Sequence, residues 1–359
     1  MVSIIVPVYK SELTLTRCVE SLLSQDYKDI EILLIVDGPP DGSGILADEL
    51  KKRDDRIRVI NQPNQGVSHA RNTGILHAKG EYIRFVDSDD YVCPTELSEM
   101  VSRMEADDSD MVICGYHHLY FGRVITKVPH MDGVLDVPND FADMKRLYRD
   151  GFLNMPWNKL FKTKQILHGH QTSEKHTEVY SEHGGNDIGF PENLSLGEDL
   201  VFNQNYIAGV KRISVIPICV CEYVQDDRGT TLSTKKRDDK IDMALLLYEK
   251  SALFFQGLYG QQDLTFLKEK VMTTFLDEIE CIGFAKADTK EKKESLQKYM
   301  KACRQFANNN QLCDMRFALP DYRIIYFFVR KNKLQLTYLM VRLRTIVVKF
   351  VRMLRRRER

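Results

Sequence analysis

Residues 81–92 read EYIRFVDSDDYV, and this stretch joins a buried strand to a cluster of acids. Apolar and aromatic side chains predominate up to Val86, as is typical of a strand covered on both faces. Asp87, Asp89 and Asp90 then follow within four positions. A strand that ends in so much negative charge points either to a bound cation or to the start of a helix.

Short β-rich runs alternate with amphipathic helical patterns through the first 115 residues. SIIVPVY, IEILLIV, IRVIN and YIRFVD each precede a helical pattern, and DMVICGY follows the last of them. Near-continuous Val, Ile and Leu runs separated by helices predict an α/β fold with a mostly parallel sheet and flanking helices. The apolar periodicity predicts helices near residues 12–25, 43–53, 67–78 and 95–105.

The loops after these strands should gather on one rim of the sheet, since ligands bind beyond the carboxyl ends of parallel strands. VDGPPDGS, NQPNQGVSHARN and DSDDYV all follow strands. Asp87 and Asp89 are two residues apart and can face one cation, because Mg²⁺ and Mn²⁺ take oxygen ligands. Capping of the next helix is the alternative, and an acidic D-x-D alone does not decide between them.

The remaining chain divides into a less regular part and a helical part. YHHLYFGRVITKV is typical of antiparallel strands, and the polar segment near 168–190 is predicted to be a mobile loop. Beyond Lys235 the pattern turns helical. We predict helices near 238–257, 262–285 and 291–308, and domains at 1–235 (halves 1–115 and 116–235), 236–320 and 321–359.

Composition restricts the class of protein. With 43% apolar and 28% charged residues in 359, the chain can bury a large core and is not disordered. None of the eight cysteines forms a C-x-x-C pair, which favours a reducing compartment. The start MVSIIVPVY lacks a basic region and a long apolar run, so we expect neither a signal peptide nor a spanning helix, and a cytoplasmic location.

Four segments, in this order, closely resemble the family 2 glycosyltransferases with the GT-A fold, as found in enzymes of bacterial surface-polysaccharide synthesis. The resemblance covers roughly residues 2–235. The segments are VSIIVPVY…VDGPPDGSG at 2–44, NQGVSHARN…FVDSDD at 64–90, PWNKLF at 156–161 and FPENLSLGEDLVFN at 190–203.

The resemblance implies how the acids after the strand are used. In that family the D-x-D holds Mn²⁺ or Mg²⁺ on the diphosphate of a nucleotide sugar, which implies that role for Asp87 and Asp89, with Ser88 at the donor. Arg71 in HARN can add a second cation through its guanidinium. The other possibility for Arg71 is pairing with a surface acid.

The resemblance also implies a base and a nucleoside site. In GED at 197–199, Asp199 corresponds to the catalytic base and Glu198 is the alternative, although acids also favour a helix N-terminus. Pro7, Tyr9 and Asp37 correspond to the nucleoside-binding loops. The family commonly has two acids where this chain has Val36 and Asp37, and this puts recognition of uridine in doubt.

Trp157 is the only tryptophan and stands in PWNKLF. Its ring could stack on an acceptor sugar, and core packing is an equal alternative.

The predicted function is an inverting, metal-dependent, non-processive glycosyltransferase that moves a hexosyl or N-acetylhexosaminyl group from a UDP-sugar to a glycan or lipid-linked acceptor. Inversion is what the resemblance implies, together with one candidate base and no second nucleophile in the matching segments. The Q-x-x-R-W signature of processive synthases is absent. A nucleotidyltransferase that makes the nucleotide sugar is one alternative, although the glycine-rich N-terminal phosphate loop is missing. A membrane-bound scaffold with a degenerate transferase domain is the other.

The charge is distributed unevenly along the chain. From Tyr322 onward there are twelve Lys and Arg and one acid, so this tail carries +11 and the rest of the chain −11. The apolar and basic pattern of residues 334–357 predicts a helix that lies in the interface of an anionic membrane. We expect this membrane to be the inner face of the plasma membrane. Packing on the body or a homodimer seam is the alternative, and no nucleic-acid partner is expected. The predicted apolar arc is Leu336, Leu339, Met340, Leu343, Val347, Phe350 and Leu354, opposite Arg342, Arg344, Lys349, Arg352, Arg355 and Arg356.

Overall fold

The computed structural model divides the chain into two compact units. The first comprises Met1–Lys236 and Leu253–Gln261, and the second Arg237–Ala252 and Gln262–Arg359. The three-part division at residues 235 and 320 stays a prediction. The structure describes residues 1–120, 123–167, 188–225, 239–285, 288–312 and 320–357.

One sheet organises the first unit. Among the described residues its strands are β1 (Val2–Val8), β2 (Ile30–Asp37), β3 (Ile57–Gln62), β4 (Tyr82–Phe85), β5 (Tyr91–Val92), β6 (Met111–Tyr120), β7 (Arg123–Lys127), β8 (Gly133–Asp136), β9 (Lys159–Lys162) and β10 (Arg212–Gln225). Their order is β3-β2-β1-β4-β9-β6-β10-β5, with β7 on β6 and β8 on β10.

The sheet is mixed. Strands β1, β2, β3 and β4 pair in parallel, as do β6 and β10. Strand β9 is antiparallel to both β4 and β6 and so joins the two parallel sets. The predicted α/β sheet is confirmed, and so is the antiparallel pair β6 and β7 at YHHLYFGRVITKV.

Helices flank this sheet because their apolar residues recur at helical spacing. Leu15, Cys18, Val19 and Leu22 form the buried face of the first helix. The four predicted helices are confirmed within a few residues at each end. The helices are α1 (Leu15–Leu23), α2 (Ser43–Lys51), α3 (Val67–His77), α4 (Glu96–Ala106), α5 (Phe141–Arg149), α6 (Thr163–Leu167) and α7 (Glu198–Ala208).

The second unit is helical, as predicted. Helix α8 contributes to both units, and residues of the other helices share a core that includes Phe275, Met300, Tyr326 and Val341. No helix in the described residues is long and apolar enough to cross a membrane. The helices are α8 (Lys240–Tyr259), α9 (Thr265–Phe284), α10 (Thr289–Asn309), α11 (Pro320–Arg330) and α12 (Leu334–Arg357).

The predicted mobile loop near 168–190 falls largely on residues 168–187, which lie outside the described residues.

Candidate active site

Arg71 joins two carboxylates that are far apart in the sequence. Its Nη2 donates to Asp87 Oδ1 at 2.9 Å, and its Nη1 donates to Asp199 Oδ1 at 2.6 Å. Asp87 follows strand β4, whereas Asp199 lies in the first turn of α7. The structure therefore brings the predicted metal ligand and the predicted base onto one guanidinium, an arrangement that we call the Arg71 bridge.

The Arg71 side chain is fixed by its surroundings on α3. It is 3% exposed, and its guanidinium lies 5.1 Å from the ring centroid of Phe190, which stacks on Phe202. The next residue, Asn72, accepts a hydrogen bond from Phe190 N at 2.7 Å and donates one to Phe190 O at 2.9 Å. Neither Asn72 nor Phe190 was singled out from the sequence, although both stand in segments that carry the family resemblance.

Burial dominates the electrostatics of the bridge. It raises the pKa of Asp199 to about 7, with Arg71 acting in the opposite direction and Glu198 and Asp87 reinforcing the rise. Burial by itself would lower the pKa of Arg71. The negative charges of Asp199 and Asp87 have the larger effect, so the pKa of Arg71 is raised. Arg71 therefore stays charged. Asp199 titrates near neutral pH, where a carboxylate can act as a general base.

The D-x-D turn concentrates negative charge. Burial and the like charge of Asp87 raise the pKa of Asp89 to about 6. Burial and both neighbouring acids raise the pKa of Asp90 well above its usual range. Asp90 Oδ1 accepts a hydrogen bond from Val224 N at 2.9 Å, whereas its Oδ2 has no partner among the described residues.

This donor set fits a hard divalent cation. A cation would relieve the repulsion between Asp87 and Asp89, and Mg²⁺ typically binds through one or two carboxylates together with phosphate oxygens. Within the described ranges, no group of three or more His, Cys, Asp or Glu side chains could hold a metal ion. Further ligands would have to come from the donor or from water.

The Asp37 carboxylate is occupied by its own protein. Its two oxygens accept hydrogen bonds from Gln62 Nε2, Gln65 N and Gly66 N at 2.8, 2.9 and 2.9 Å. It is 3% exposed, so its visible role is to hold the loop before α3 beside the site. A contact with a nucleoside stays a prediction.

The first loop offers a more accessible surface. Tyr9 is 43% exposed, and the ammonium of Lys10 lies 5.3 Å from its ring centroid. Pro7 lies within β1, opposite Ile35 of β2. Of the residues predicted to bind the nucleoside, Tyr9 is therefore the one with a ring free to stack on a base.

Ser88 connects the loops instead of pointing freely to a ligand. Its hydroxyl lies 2.6 Å from that of Ser11, and Ser11 N donates to Ser43 Oγ at 2.8 Å. Ser43 in turn donates to Asp41 Oδ1 at 2.6 Å. This chain joins the loops after β1, β2 and β4. Single Ser and Asp residues in turns gave no signal that they would meet.

Lys159, the first residue of β9, holds the segment that precedes this strand. It is fully buried, and its Nζ donates to Phe152 O at 2.6 Å, to Asn158 Oδ1 at 2.7 Å and to Met155 O. Burial lowers the pKa of Lys159 to about 7. Asn203 Nδ2 of α7 donates to Leu153 O at 2.9 Å, so the helix that carries Asp199 is tied to the same segment.

Trp157 follows the core-packing alternative in this structure. Its ring is stacked on Tyr223 with centroids 5.2 Å apart, and Tyr116 meets it edge-on at 4.9 Å. Only 6% of Trp157 is exposed. It therefore has little surface to offer an acceptor sugar, and that contact stays a prediction.

Comparison with known proteins identifies the family. The family described as Glycosyl transferase family 2 matches residues 3–167. The uncharacterized glycosyltransferase EpsJ of Bacillus subtilis (strain 168) is 34% identical over 262 residues, which are 72% of this chain and 71% of EpsJ. The chain belongs to glycosyltransferase family 2.

One further relative and one solved structure are similar to this glycosyltransferase. It is 32% identical over 218 residues to the poly(ribitol-phosphate) beta-glucosyltransferase of Bacillus spizizenii, covering 60% of this chain and 30% of that enzyme. The crystal structure of S. aureus TarS 1–349 in complex with UDP-GlcNAc superposes with a TM-score of 0.64 at 19% identity, covering 95% of this chain and 90% of that one. The GT-A fold is thereby confirmed.

Membership of this family decides the reaction type. The protein is a glycosyltransferase, and neither the nucleotidyltransferase nor the scaffold alternative is needed. The Arg71 bridge then lies in the first unit of a glycosyltransferase, between the residues that correspond to metal ligand and base.

Proposed function

We propose that this glycosyltransferase is inverting, metal-dependent and non-processive, and that it moves a sugar from a UDP-sugar to a glycan or lipid-linked acceptor during cell-surface polysaccharide synthesis. The observation that carries the proposal is the Arg71 bridge, because it holds Asp87 and Asp199 on one guanidinium. A leaving diphosphate at Asp87 and an acceptor hydroxyl at Asp199 would then meet across a single sugar carbon.

The chemistry needs a proton acceptor and a positive charge from the chain. Asp199 accepts the proton of the acceptor hydroxyl while the oxygen of that hydroxyl forms a bond to the anomeric carbon. The bond from that carbon to the diphosphate oxygen breaks in the same step, and the nucleoside diphosphate leaves with the electron pair. Arg71 offers positive charge beside the departing oxygen. A single displacement of this kind inverts the anomeric configuration.

Asp87 and Asp89 are the residues that would hold Mn²⁺ or Mg²⁺. When bound, such an ion supplies Lewis-acid stabilisation of the negative charge on the diphosphate. The raised pKa of Asp89 supports this assignment, because a like-charged pair of half-buried carboxylates favours a nearby cation.

Support for the donor and acceptor is chemical and comparative. The fold neighbour TarS binds UDP-GlcNAc, and the exposed ring of Tyr9 offers a face for a base. A relative that is a poly(ribitol-phosphate) beta-glucosyltransferase supports an acceptor that belongs to a surface polymer. The basic tail, with twelve Lys and Arg against one acid from Tyr322 onward, supports a location on the anionic inner face of the plasma membrane.

Donor hydrolysis tests the proposal without knowledge of the acceptor. The purified full chain is incubated with a panel of UDP-, GDP- and dTDP-sugars with Mn²⁺, with Mg²⁺ or with EDTA, and release of the nucleoside diphosphate is measured. We expect release from a UDP-sugar that stops in EDTA. Equal rates with EDTA would contradict metal dependence, and preference for another nucleotide would contradict the UDP assignment.

The stereochemistry needs a transferred product. The nucleotide sugar that is hydrolysed in the first assay is then supplied intact, together with a panel of synthetic polyprenyl-phosphate sugars as acceptors. We expect a product whose anomeric proton coupling shows inversion. A product with the configuration of the donor would contradict a single displacement at Asp199.

A further inference from the structure

Helices α11 and α12 pack on the core of the second unit with only one face each. In α12, Tyr338, Val341 and Thr345 are buried, and Thr337 lies beside them. At about 100° per residue these positions span an arc of about 100°. In α11 the buried face is formed by Tyr322, Ile325, Tyr326 and Val329.

The opposite face of α12 is apolar as well. Leu336, Leu339, Leu343, Ile346 and Val347 lie within another arc of about 100°, and its centre is about 180° from that of the buried arc. They are between 42% and 59% exposed. Four of the residues in the predicted apolar arc are thus on the surface, whereas Met340 packs against the core. The side chains of Phe350 and Leu354 lie outside the described residues.

Helix α11 repeats the arrangement. Ile324 and Phe327 are 47% and 56% exposed and point away from its buried face. We call these two residues together with the five of α12 the hairpin stripe. A helix that is apolar on both sides normally contacts a second apolar phase.

The hairpin stripe is concentrated in sequence. Among the described residues, seven of the sixteen exposed large hydrophobic side chains fall between Ile324 and Val347. The other nine lie between Tyr9 and Leu253, and three of them, Val124, Ile125 and Val128, stand on or directly after β7. Single exposed apolar residues need no explanation, but a grouped set marks an interaction surface.

Internal contacts prevent the helices from turning this face inward. Arg344 Nε of α12 lies 2.9 Å from Glu280 Oε1 of α9. The Tyr322 hydroxyl of α11 lies 2.5 Å from Asp277 Oδ1 and 2.7 Å from Glu280 Oε2. These partly buried polar contacts fix the rotation of both helices, so the apolar face stays outward.

The charge around the stripe selects the partner. Arg342 on one side and Lys333 on the other are exposed, and the segment from Tyr322 onward has twelve basic residues against one acid. An apolar stripe with basic flanks matches the boundary between anionic headgroups and acyl chains. A second copy of the same basic surface would be repelled.

We propose that the hairpin stripe is a docking surface for an anionic lipid bilayer, with α11 and α12 lying in the headgroup plane. This inference rests on the proposed peripheral location and identifies the surface responsible. Binding combines burial of the seven apolar side chains with attraction of the basic flanks. It places a reversible anchor on the second unit, separate from the Arg71 bridge in the first.

Co-sedimentation with vesicles tests the surface. The full chain is mixed with phosphatidylcholine vesicles and with vesicles that contain about 30% phosphatidylglycerol, at low and high salt. We expect binding to the anionic vesicles that weakens with salt. The double variant Leu339→Ser with Leu343→Ser should reduce the partition coefficient at least about tenfold, because two apolar anchors are lost.

Matched variants separate this effect from a general loss of apolar or basic surface. Leu76→Ser with Leu253→Ser removes two exposed leucines from the first unit and should leave binding unchanged. Arg342→Gln should weaken binding about fivefold, equivalent to about 1 kcal/mol per basic residue near the surface. Arg53→Gln, which removes an exposed arginine of the first unit, should have no effect.

Three results would overturn the proposal. These are no binding of the full chain to anionic vesicles at low salt, equal losses in test and control variants, and a dimer in sedimentation equilibrium that only the stripe variant dissociates. The last result would show a protein interface instead. Donor hydrolysis by the same variants without vesicles reports separately on the proposed function.

Discussion

The Arg71 bridge and the hairpin stripe are opposite in what they bury. The bridge takes charged groups away from water, whereas the stripe leaves apolar side chains exposed to it. In the bridge, a buried guanidinium and two half-buried carboxylates satisfy one another at 2.6 and 2.9 Å. In the stripe, apolar side chains are exposed while basic residues flank them. Each arrangement costs free energy in an isolated folded chain.

The two regions suit different kinds of ligand. Buried charge favours a small, highly charged ligand that enters a prepared set of partners. Exposed apolar surface favours a large, soft surface that can cover it. Substitutions in the bridge should therefore change turnover with little effect on membrane binding, and substitutions in the stripe should do the reverse.

The largest effect is expected for Asp89→Asn. The amide keeps the shape of the carboxyl but loses the charge that a divalent cation needs, so donor hydrolysis should fall by about 10³-fold or more. The melting temperature should be retained. Asp55→Asn, at an exposed acid of another loop, should behave as the parent. Normal metal-dependent turnover of Asp89→Asn would remove Asp89 from the metal site.

Asp199→Asn should lower transfer by about 10²- to 10⁴-fold, because the acceptor proton loses its base. Calorimetric binding of UDP should change far less than transfer, since Asp199 acts on the Asp87 side only indirectly, through Arg71. Glu198→Gln is the matched comparison, because its side chain leaves the helix about 100° away. A larger loss for Glu198→Gln, or a loss of UDP affinity for Asp199→Asn as large as its loss of transfer, would contradict this assignment.

The pH dependence follows from the raised pKa of Asp199. The base must be ionised to act, and burial raises its pKa to about 7, so kcat/KM should fall as the pH drops below 7. The decrease should be about tenfold per pH unit, or about 100-fold at pH 5. Initial rates at saturating metal from pH 5 to 9 measure it. A profile that stays flat down to pH 5 would contradict the role of Asp199.

Asn72→Ala should reduce kcat about tenfold while KM for the donor changes less. The variant removes two hydrogen bonds to Phe190 and frees the ring that lies against the Arg71 guanidinium. Steady-state kinetics separate the two parameters. Ser98→Ala, a loss of polar bonds on α4, serves as control. Unchanged kcat would show that Phe190 does not position Arg71.

The smallest effects concern the two faces of α12. Val341→Ala should lower the free energy of unfolding of the second unit by about 2 kcal/mol, since it opens space in a packed core. Leu343→Ala on the exposed face should change it by less than about 0.5 kcal/mol. Urea unfolding followed by circular dichroism compares them. Equal destabilisation would show that the exposed face is packed in solution.

Most strands and helices of the first half of the sheet were predictable, because the local pattern of apolar residues determines them. Apolar runs such as IEILLIV can be buried on both faces only in a covered sheet, and this determined β1 to β4 and the helices between them. The D-x-D turn and the GED segment were also visible, since their residue types have few other uses at strand and helix ends.

The contacts within the site could not be read from local pattern. Arg71 and Asp199 are 128 positions apart, and their pairing depends on how α3 and α7 flank the sheet. Asp37 was predicted at the nucleoside, yet its oxygens are taken by backbone and side-chain donors of residues 62–66. Which polar groups satisfy one another is a property of the assembled loops.

The tail shows a different limit. Periodicity located an apolar arc in residues 334–357, and Leu336, Leu339, Leu343 and Val347 do lie on one face. It did not show that Tyr338 and Val341 form a second apolar face. When a helix is apolar on two sides, only its packing partners decide which side is buried, and these partners come from α9, α10 and α11.

One guanidinium shared by two carboxylates couples the charge on one side of the site to the charge on the other. The negative charge of Asp87 contributes to the raised pKa of Asp199, so a variant such as Asp87→Asn should move that pKa downward even though it leaves Asp199 untouched. By reciprocity, the protonation state of Asp199 changes the affinity of the Asp87 side for any cation. The Arg71 bridge is thus a thermodynamic linkage between the donor and acceptor halves of the site.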